Sequence, residues 1–127
     1  TNFNRVGTFS ANSGGGRISF LSLNNSATNL GTINAGSGTL AIYADSAVTQ
    51  SGTINASTLY LSSGFNVTLN GANTVNNLAF TFNPASVSFT NAGSLSVGAV
   101  TTGGNVAITT TGGSSDLTLS GALTHSG

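Results

Sequence analysis

The sequence predicts an all-β protein, specifically a parallel β-helix in which each rung contains about three short strands and roughly 20 residues. Three observations predict it. Apolar and polar residues alternate in short stretches such as LYL at 59–61 and VTL at 67–69, which is the period of a strand with one face buried. Similar residues recur at intervals near twenty. No stretch keeps the 3.6-residue period of a helix for long enough to form one.

The recurrence is clearest at GTINA, which occupies residues 31–35 and again 52–56, followed by the looser NTVNN at 73–77. The step from position 31 to position 52 equals the step from position 52 to position 73. Apolar residues also recur in three columns, at intervals of roughly 20 residues. The columns are Leu40, Leu59, Leu78 and Val97; Val48, Val67, Val87 and Val106; and Ile54, Val75 and Leu95.

Stacking these copies predicts three ladders of side chains along a rod. At about 4.8 Å between rungs, about six rungs would make a rod about 30 Å long. The ladders would be an inward one, an amide ladder of the kind seen in cross-β stacks, and an outward hydroxyl row. The inward ladder would contain Ile33, Ile54 and Val75. The amide ladder would contain Asn34, Asn55 and Asn76, and the hydroxyl row would contain Thr32, Thr53 and Thr74.

The sequence leaves the register of the columns before residue 30 open. Residues 4–24 overlay residues 73–93 without a gap, which places Phe9 on Leu78 and Ile18 on Val87. This overlay does not agree everywhere with a rung of about 20 residues, so some rungs should carry insertions. An antiparallel sandwich is the alternative fold, but it needs hairpin dipeptides, and Asn70-Gly71 is the one good candidate.

Composition limits the classes of function. The 127 residues suffice for one domain, and we expect residues 1–127 to be a β-helix repeat segment of a longer chain. Charged residues make up 3% of the sequence, and Arg5 and Arg17 are the only Lys or Arg residues. A nucleic-acid partner would require a basic surface, so none is expected. No apolar run approaches the roughly 20 residues of a membrane-spanning helix.

Catalysis and metal binding are also not expected. The two carboxylates, Asp45 and Asp116, are more than three rungs apart, on the order of 15 Å along the axis. Paired acid–base chemistry needs two such groups within about 5–10 Å. His125 is the only histidine, and the chain has no cysteine with which it could share a metal. We therefore expect no enzyme activity and no cofactor.

Two stretches of the repeat carry a family resemblance. The first is GTINAGSGTLAIYADSAVTQSGTINASTLYL at 31–61. The second consists of NTVNNLAF at 73–80, VSFTNAGSLSVGAVTTGGNVAITTTGG at 87–113 and LTLSGAL at 117–123. Both resemble the stalk repeats of filamentous-haemagglutinin-type exoproteins. The resemblance implies a right-handed β-helix, export by two-partner secretion through an outer-membrane pore, and a place on the bacterial cell surface. The secretion domain of that family usually carries an Asn-Pro-Asn-Gly type motif. Here only Asn83-Pro84-Ala85 occurs, so the segment resembles stalk.

The expected function is structural: a stalk segment of a secreted adhesin, serving adhesion, biofilm formation or display of a distal domain. The alternative is a self-assembling extracellular filament or matrix protein. Expected partners are like chains, end to end or side by side, or glycans of host or neighbouring cells. Tyr43 and Tyr60 are candidate glycan contacts, although a stacked structural ladder would explain them equally well. Ice binding would need a paired Thr-x-Thr face, which the threonine row lacks.

Overall fold

A computed structural model describes residues 6–23 and 25–126. This part of the chain consists of twelve strands joined by turns and bends, without a helix, and so contains no helix that could cross a membrane. The strands are β1 (Thr8–Asn12), β2 (Ile18–Ser22), β3 (Thr28–Ala44), β4 (Val48–Gln50), β5 (Ile54–Ser62), β6 (Asn66–Phe80), β7 (Ser86–Ala92), β8 (Leu95–Val97), β9 (Val100–Thr102), β10 (Val106–Thr111), β11 (Leu117–Leu119) and β12 (Leu123–His125).

Every strand pairing in the described residues is parallel, which confirms the β-helix. Parallel strands need a crossover between partners, and here each partner lies about one rung away along the chain. The sandwich alternative is wrong because it requires antiparallel hairpins. Asn70-Gly71, its hairpin candidate, lies inside β6.

The described residues make six rungs, and three columns of strands run along them. The first column begins each rung, the second follows it across a corner, and the third closes the circuit; β3 and β6 pass through all three. We number the rungs 8–22, 28–44, 48–62, 66–80, 86–102 and 106–125. A short fourth pair, β9 with β12, completes rungs 5 and 6.

Two of the predicted apolar columns are confirmed. Leu40, Leu59, Leu78 and Val97 are strand partners in succession down the third column. The four valines from Val48 to Val106 are partners in the same way down the first. The members up to Val97 are fully or almost fully buried. Burial of one such side chain stabilises by about 1.5–3 kcal/mol, so each rung is held chiefly by the rungs above and below.

Two predictions are wrong. They are the apolar column of Ile54, Val75 and Leu95, and the overlay of residues 4–24 on residues 73–93. Val75 is the strand partner of Ala56, not of Ile54. Leu95 falls opposite Asn76, not Val75, because Ser96 is the partner of Asn77. Phe9 lies in the first column, whereas Leu78 lies in the third. The overlay matched segments of different columns because strand alternation records only which side chains point inward. It does not record which face of the rod a strand occupies.

Close approach of successive rungs at the corner between the first and second columns explains the glycine that begins each GTINA copy. A Cβ on Gly52 would collide with the backbone nitrogen of Thr32 on the rung before. A Cβ on Gly71 would lie 2.7 Å from the carbonyl oxygen of Gly52. At this corner the backbones of successive rungs approach too closely for any side chain, and only glycine permits that approach.

Candidate functional site

The first two members of each predicted ladder lie on adjacent rungs. Ile33 is the partner of Ile54, and Asn34 is the partner of Asn55. The Asn55 Nδ2 donates a hydrogen bond to Asn34 Oδ1 at 3.0 Å, as an amide ladder requires. Thr32 and Thr53 precede the two isoleucines and are exposed. Between rungs 2 and 3 the GTINA repeat is therefore a true structural repeat.

The third members do not join these ladders. Asn55 is the partner of Thr74, and Ala56 is the partner of Val75. Asn76 therefore lies two positions beyond the amide ladder. In the same way, Val75 does not cover Ile54, and the Thr74 hydroxyl is not in line with Thr53. On the next rung Asn73 lies opposite Ile54. The motif had predicted Val75 at this place.

A buried asparagine occupies the position over Ile54. The register shift itself lies between rungs 2 and 3, around Gly36, whereas the pairing of rungs 3 and 4 shows no shift. Asn73, fully buried, lies over Ile54 and its Oδ1 accepts a hydrogen bond from the Ile54 amide at 3.0 Å. Its Nδ2 donates to the carbonyl oxygens of Leu69 and Thr90, each at 3.0 Å. The side chain also bonds to Gln50. Asn73 thus satisfies backbone groups that the corner would leave unpaired, and burial is tolerated because its amide is fully used.

Asn91 repeats this arrangement on the next rung. It is the strand partner of Asn73 and is almost fully buried. Its Oδ1 accepts from the Val75 amide at 2.8 Å, and its Nδ2 donates to the Val75 carbonyl oxygen at 3.0 Å. Sequence reasoning missed these inward amides. The signal was present, because the apolar columns on either side step from 48 to 67 and from 59 to 78, a shorter interval than that of the motif.

The outer face of the third column carries the two tyrosines, and we call it the tyrosine face. Alternation aims every second residue of these strands outward, in three parallel rows that cross rungs 1 to 4. The rows are Arg17, Thr39, Thr58 and Asn77; Ser19, Ala41, Tyr60 and Ala79; and Leu21, Tyr43 and Ser62.

Tyr43 and Tyr60 lie on adjacent strands of this face, with exposed fractions of 36% and 40%. Tyr60 is the partner of Ala41, two positions before Tyr43, so the tyrosines are diagonal neighbours about 7–8 Å apart. The one stacked aromatic pair in the described residues is Phe9 with Phe20, at 4.0 Å between ring centroids. The tyrosine rings therefore do not stack on each other, and both are open to solvent.

A model of the family described as "Repeats of unknown function (DUF5649)" matches residues 16–81, more than half of the chain. The chain belongs to this family. The match runs from just before β2 to just after β6 and includes both tyrosines and Asn73. Comparison with curated proteins found no match, and comparison with solved structures found none either.

Within the DUF5649 match, the carboxylate of Asp45 caps a corner. Both of its oxygens accept hydrogen bonds from the backbone N–H of Asn25, at 3.1 and 3.3 Å. Asn25 has a left-handed φ of 53°. A short polar residue tolerates that conformation. Arg17 lies at the edge of the tyrosine face, and Arg5 lies outside the described residues. Asp45 therefore has a local structural role at a strand end.

The other ionisable groups lie beyond the DUF5649 match. Asp116 is exposed on rung 6, four rungs from Asp45, which corresponds to about 19 Å along the axis. His125 is exposed on β12 and lines a cavity of about 350 Å³ with Asn105 and Leu123. No group of three or more His, Cys, Asp or Glu occurs across the described ranges. The tyrosine face, with its two exposed tyrosines, is the candidate functional site.

Proposed function

We propose that this DUF5649 repeat protein is a stalk segment of a secreted bacterial surface adhesin, of the filamentous-haemagglutinin type. The observation that carries the proposal is the rod itself: six parallel rungs with a continuous apolar interior and a neutral, hydroxyl- and amide-rich exterior. Every added rung lengthens such a rod by about 4.8 Å without new tertiary contacts. A distal domain can thereby be held away from a cell.

Hydrogen bonds between rungs support a stiff rod. Asn29 Nδ2 donates to Thr8 Oγ1 at 3.0 Å and to Ser51 Oγ at 2.8 Å, so one amide links three successive rungs. On the same face Ser88 Oγ donates to Asn70 Oδ1 at 2.9 Å. These bonds join neutral groups. Their strength should therefore change little with the salt concentration, which weakens exposed ion pairs, and this suits an extracellular setting.

The chemistry of the side chains supports a role without catalysis. Asp45 and Asp116 lie on different rungs, far beyond the separation of a working pair of carboxylates. A chain without cysteine can also cross an outer-membrane pore unfolded and then form one rung after another, because each rung contacts only its neighbours. We propose that no cofactor is involved.

Immunolabelling tests the proposed location. An antibody raised against the 127-residue chain should label intact cells of the source organism, and protease added to intact cells should remove the label. Deletion of residues 28–80 from the full-length protein should shorten the displayed rod and lower adhesion. Labelling that appears only after the cells are permeabilised would overturn the proposal.

A self-assembling filament is the second candidate, favoured by the exposed apolar end of rung 6. Leu117, Leu119 and Leu123 are each about half exposed there, and open strand edges pair readily with further strands. The purified chain should form larger species in sedimentation as its concentration rises. Leu119→Lys should suppress them, whereas Thr118→Lys on the neighbouring exposed position should not. A monomer at all concentrations would exclude this candidate.

A further inference from the structure

We propose that the tyrosine face binds a neutral oligosaccharide. The proposal deepens the adhesin role and takes its biological setting from it, but binding by the purified chain does not depend on where the protein is located. The face lies within the stretch that matches the family model, on rungs 1 to 4, away from the open end of rung 6.

The two tyrosines offer two stacking positions. The C–H groups of a pyranose ring pack on the face of an aromatic side chain, which combines an apolar surface with a polar hydroxyl. Tyr60 stands between Ala41, which is fully buried, and Ala79 on the neighbouring strands, and 40% of its surface is exposed. Tyr43 stands beside Leu21, which is half exposed. As diagonal neighbours on adjacent strands, with Cα atoms about 7–8 Å apart, the two tyrosines can contact different sugars of one oligosaccharide.

Neutral hydrogen-bonding groups border the rings. Thr58 lies two positions before Tyr60 on the same strand and face, and Ser62 lies two positions after it. Thr39 and Asn77 are the strand partners of Thr58 on either side. Hydroxyl and amide groups both donate and accept, as sugar hydroxyls do. Aromatic side chains with a few polar groups around them are the composition of surfaces that recognise small molecules.

The charge of the face selects against other partners. Phosphate groups, anionic glycans and anionic membranes are bound by clusters of Lys and Arg. Arg17, at one corner, is the only cation among the three rows, and the sequence contains no lysine. A protein partner would favour a larger apolar patch with a dry centre, whereas here polar rows adjoin both rings. A neutral sugar fits the face best.

Tyrosine fluorescence tests the proposal directly, because both tyrosines of the chain lie on this face and the sequence has no tryptophan. The purified chain is titrated with cellohexaose, chitohexaose and mannohexaose, and with a heparin hexasaccharide as the anionic probe. We expect at least one neutral hexasaccharide to give a saturable change in emission. Tyr60→Ser should weaken its binding about tenfold, as loss of one aromatic contact predicts; the remaining Tyr43 reports the titration.

Two variants serve as controls. Phe82→Ser removes an exposed aromatic ring that lies over Gly64 at another corner, and it should bind as the parent does. Tyr43→Phe keeps a ring and removes one hydroxyl, and its affinity should fall by less than about threefold. Circular dichroism verifies that each variant is folded.

Four results would overturn the proposal. They are the absence of a saturable signal with all three neutral probes, unchanged affinity in Tyr60→Ser, an equal loss in Phe82→Ser, and tighter binding of the heparin probe than of any neutral one. None of these bears on cell-surface labelling. Failure of glycan binding therefore remains distinguishable from failure of the stalk proposal.

Discussion

Leu59 and Leu119 occupy the same face of the rod but have opposite environments. Leu59, on rung 3, has rungs on both sides and is 0% exposed, whereas Leu119, on the last described rung, is 54% exposed. Residue type, strand column and inward alternation are alike in the two cases. The difference shows that burial in this fold belongs to the stack and not to the single rung, as expected when each repeat contacts only its neighbours.

The largest effect should come from Leu59→Ala. Removing a fully buried leucine side chain leaves a cavity between two rungs, and we expect the free energy of unfolding to fall by about 3 kcal/mol. Leu119→Ala, the matched change on rung 6, should cost less than about 0.5 kcal/mol. Urea denaturation followed by circular dichroism measures both. Equal losses would show that rung 6 is covered in solution.

Asn73→Ala should have the next largest effect. It removes the acceptor for the Ile54 amide and the donor for the Leu69 and Thr90 carbonyl oxygens. Buried groups left unpaired should lower the free energy of unfolding by about 2 kcal/mol. Asn105→Ala, at an exposed position just before rung 6, is the control and should change the free energy of unfolding by less than about 0.5 kcal/mol. A neutral Asn73→Ala would refute the role assigned to its amide.

Gly52→Ala tests the close approach of backbones at the corner. The added Cβ would meet the backbone of Gly31 and Thr32, and relief of that clash should cost about 1–2 kcal/mol. Gly113→Ala on rung 6 meets no atom within 4 Å and should leave stability unchanged within about 0.5 kcal/mol. Thermal and urea unfolding of the two variants give the comparison. Stability retained in Gly52→Ala would mean that the rungs can separate there.

The smallest predicted effect is a gain. Thr28 is buried in the first column as the partner of Val48, and its Oγ1 has no hydrogen-bond partner among the described residues. Thr28→Val replaces an unsatisfied hydroxyl with a methyl group, so the free energy of unfolding should rise by about 1 kcal/mol. Thr118→Val, at an exposed site on rung 6, should show no comparable gain. A loss at Thr28 would indicate that a water molecule bonds to its hydroxyl.

Sequence reasoning identified the regions of the rod where apolar residues repeat. Leu40 to Val97 and Val48 to Val106 recur at nearly constant intervals because each side chain must cover the one on the rung before. Sequence reasoning failed at the second strand column, where Asn73 and not an apolar residue lies over Ile54. A buried asparagine and an exposed one are the same letter, and the hydrogen bonds that distinguish them join residues on different rungs.

The candidate site was also only partly predictable from the sequence. Alternation within LYL predicted that Tyr60 points outward, and Tyr43 was suspected only because it follows Ile42. That the two rings lie on adjacent strands, unstacked, beside Ala41 and Ala79, depends on the register between rungs. The number of residues between the two tyrosines does not indicate that their rings lie near each other.

The sequence by itself determined that this protein is a parallel β-helix of about six rungs, nearly uncharged, with leucine and valine columns inside. It could do so because the stacking of like side chains imposes a period on the chain. Only the tertiary structure decided the register at the corners, the burial of Asn73 and Asn91, and the rows of the tyrosine face. These depend on contacts between rungs, where one polar side chain can take the place of a backbone partner and where an irregularity such as the one at Gly36 shifts the register from one rung to the next.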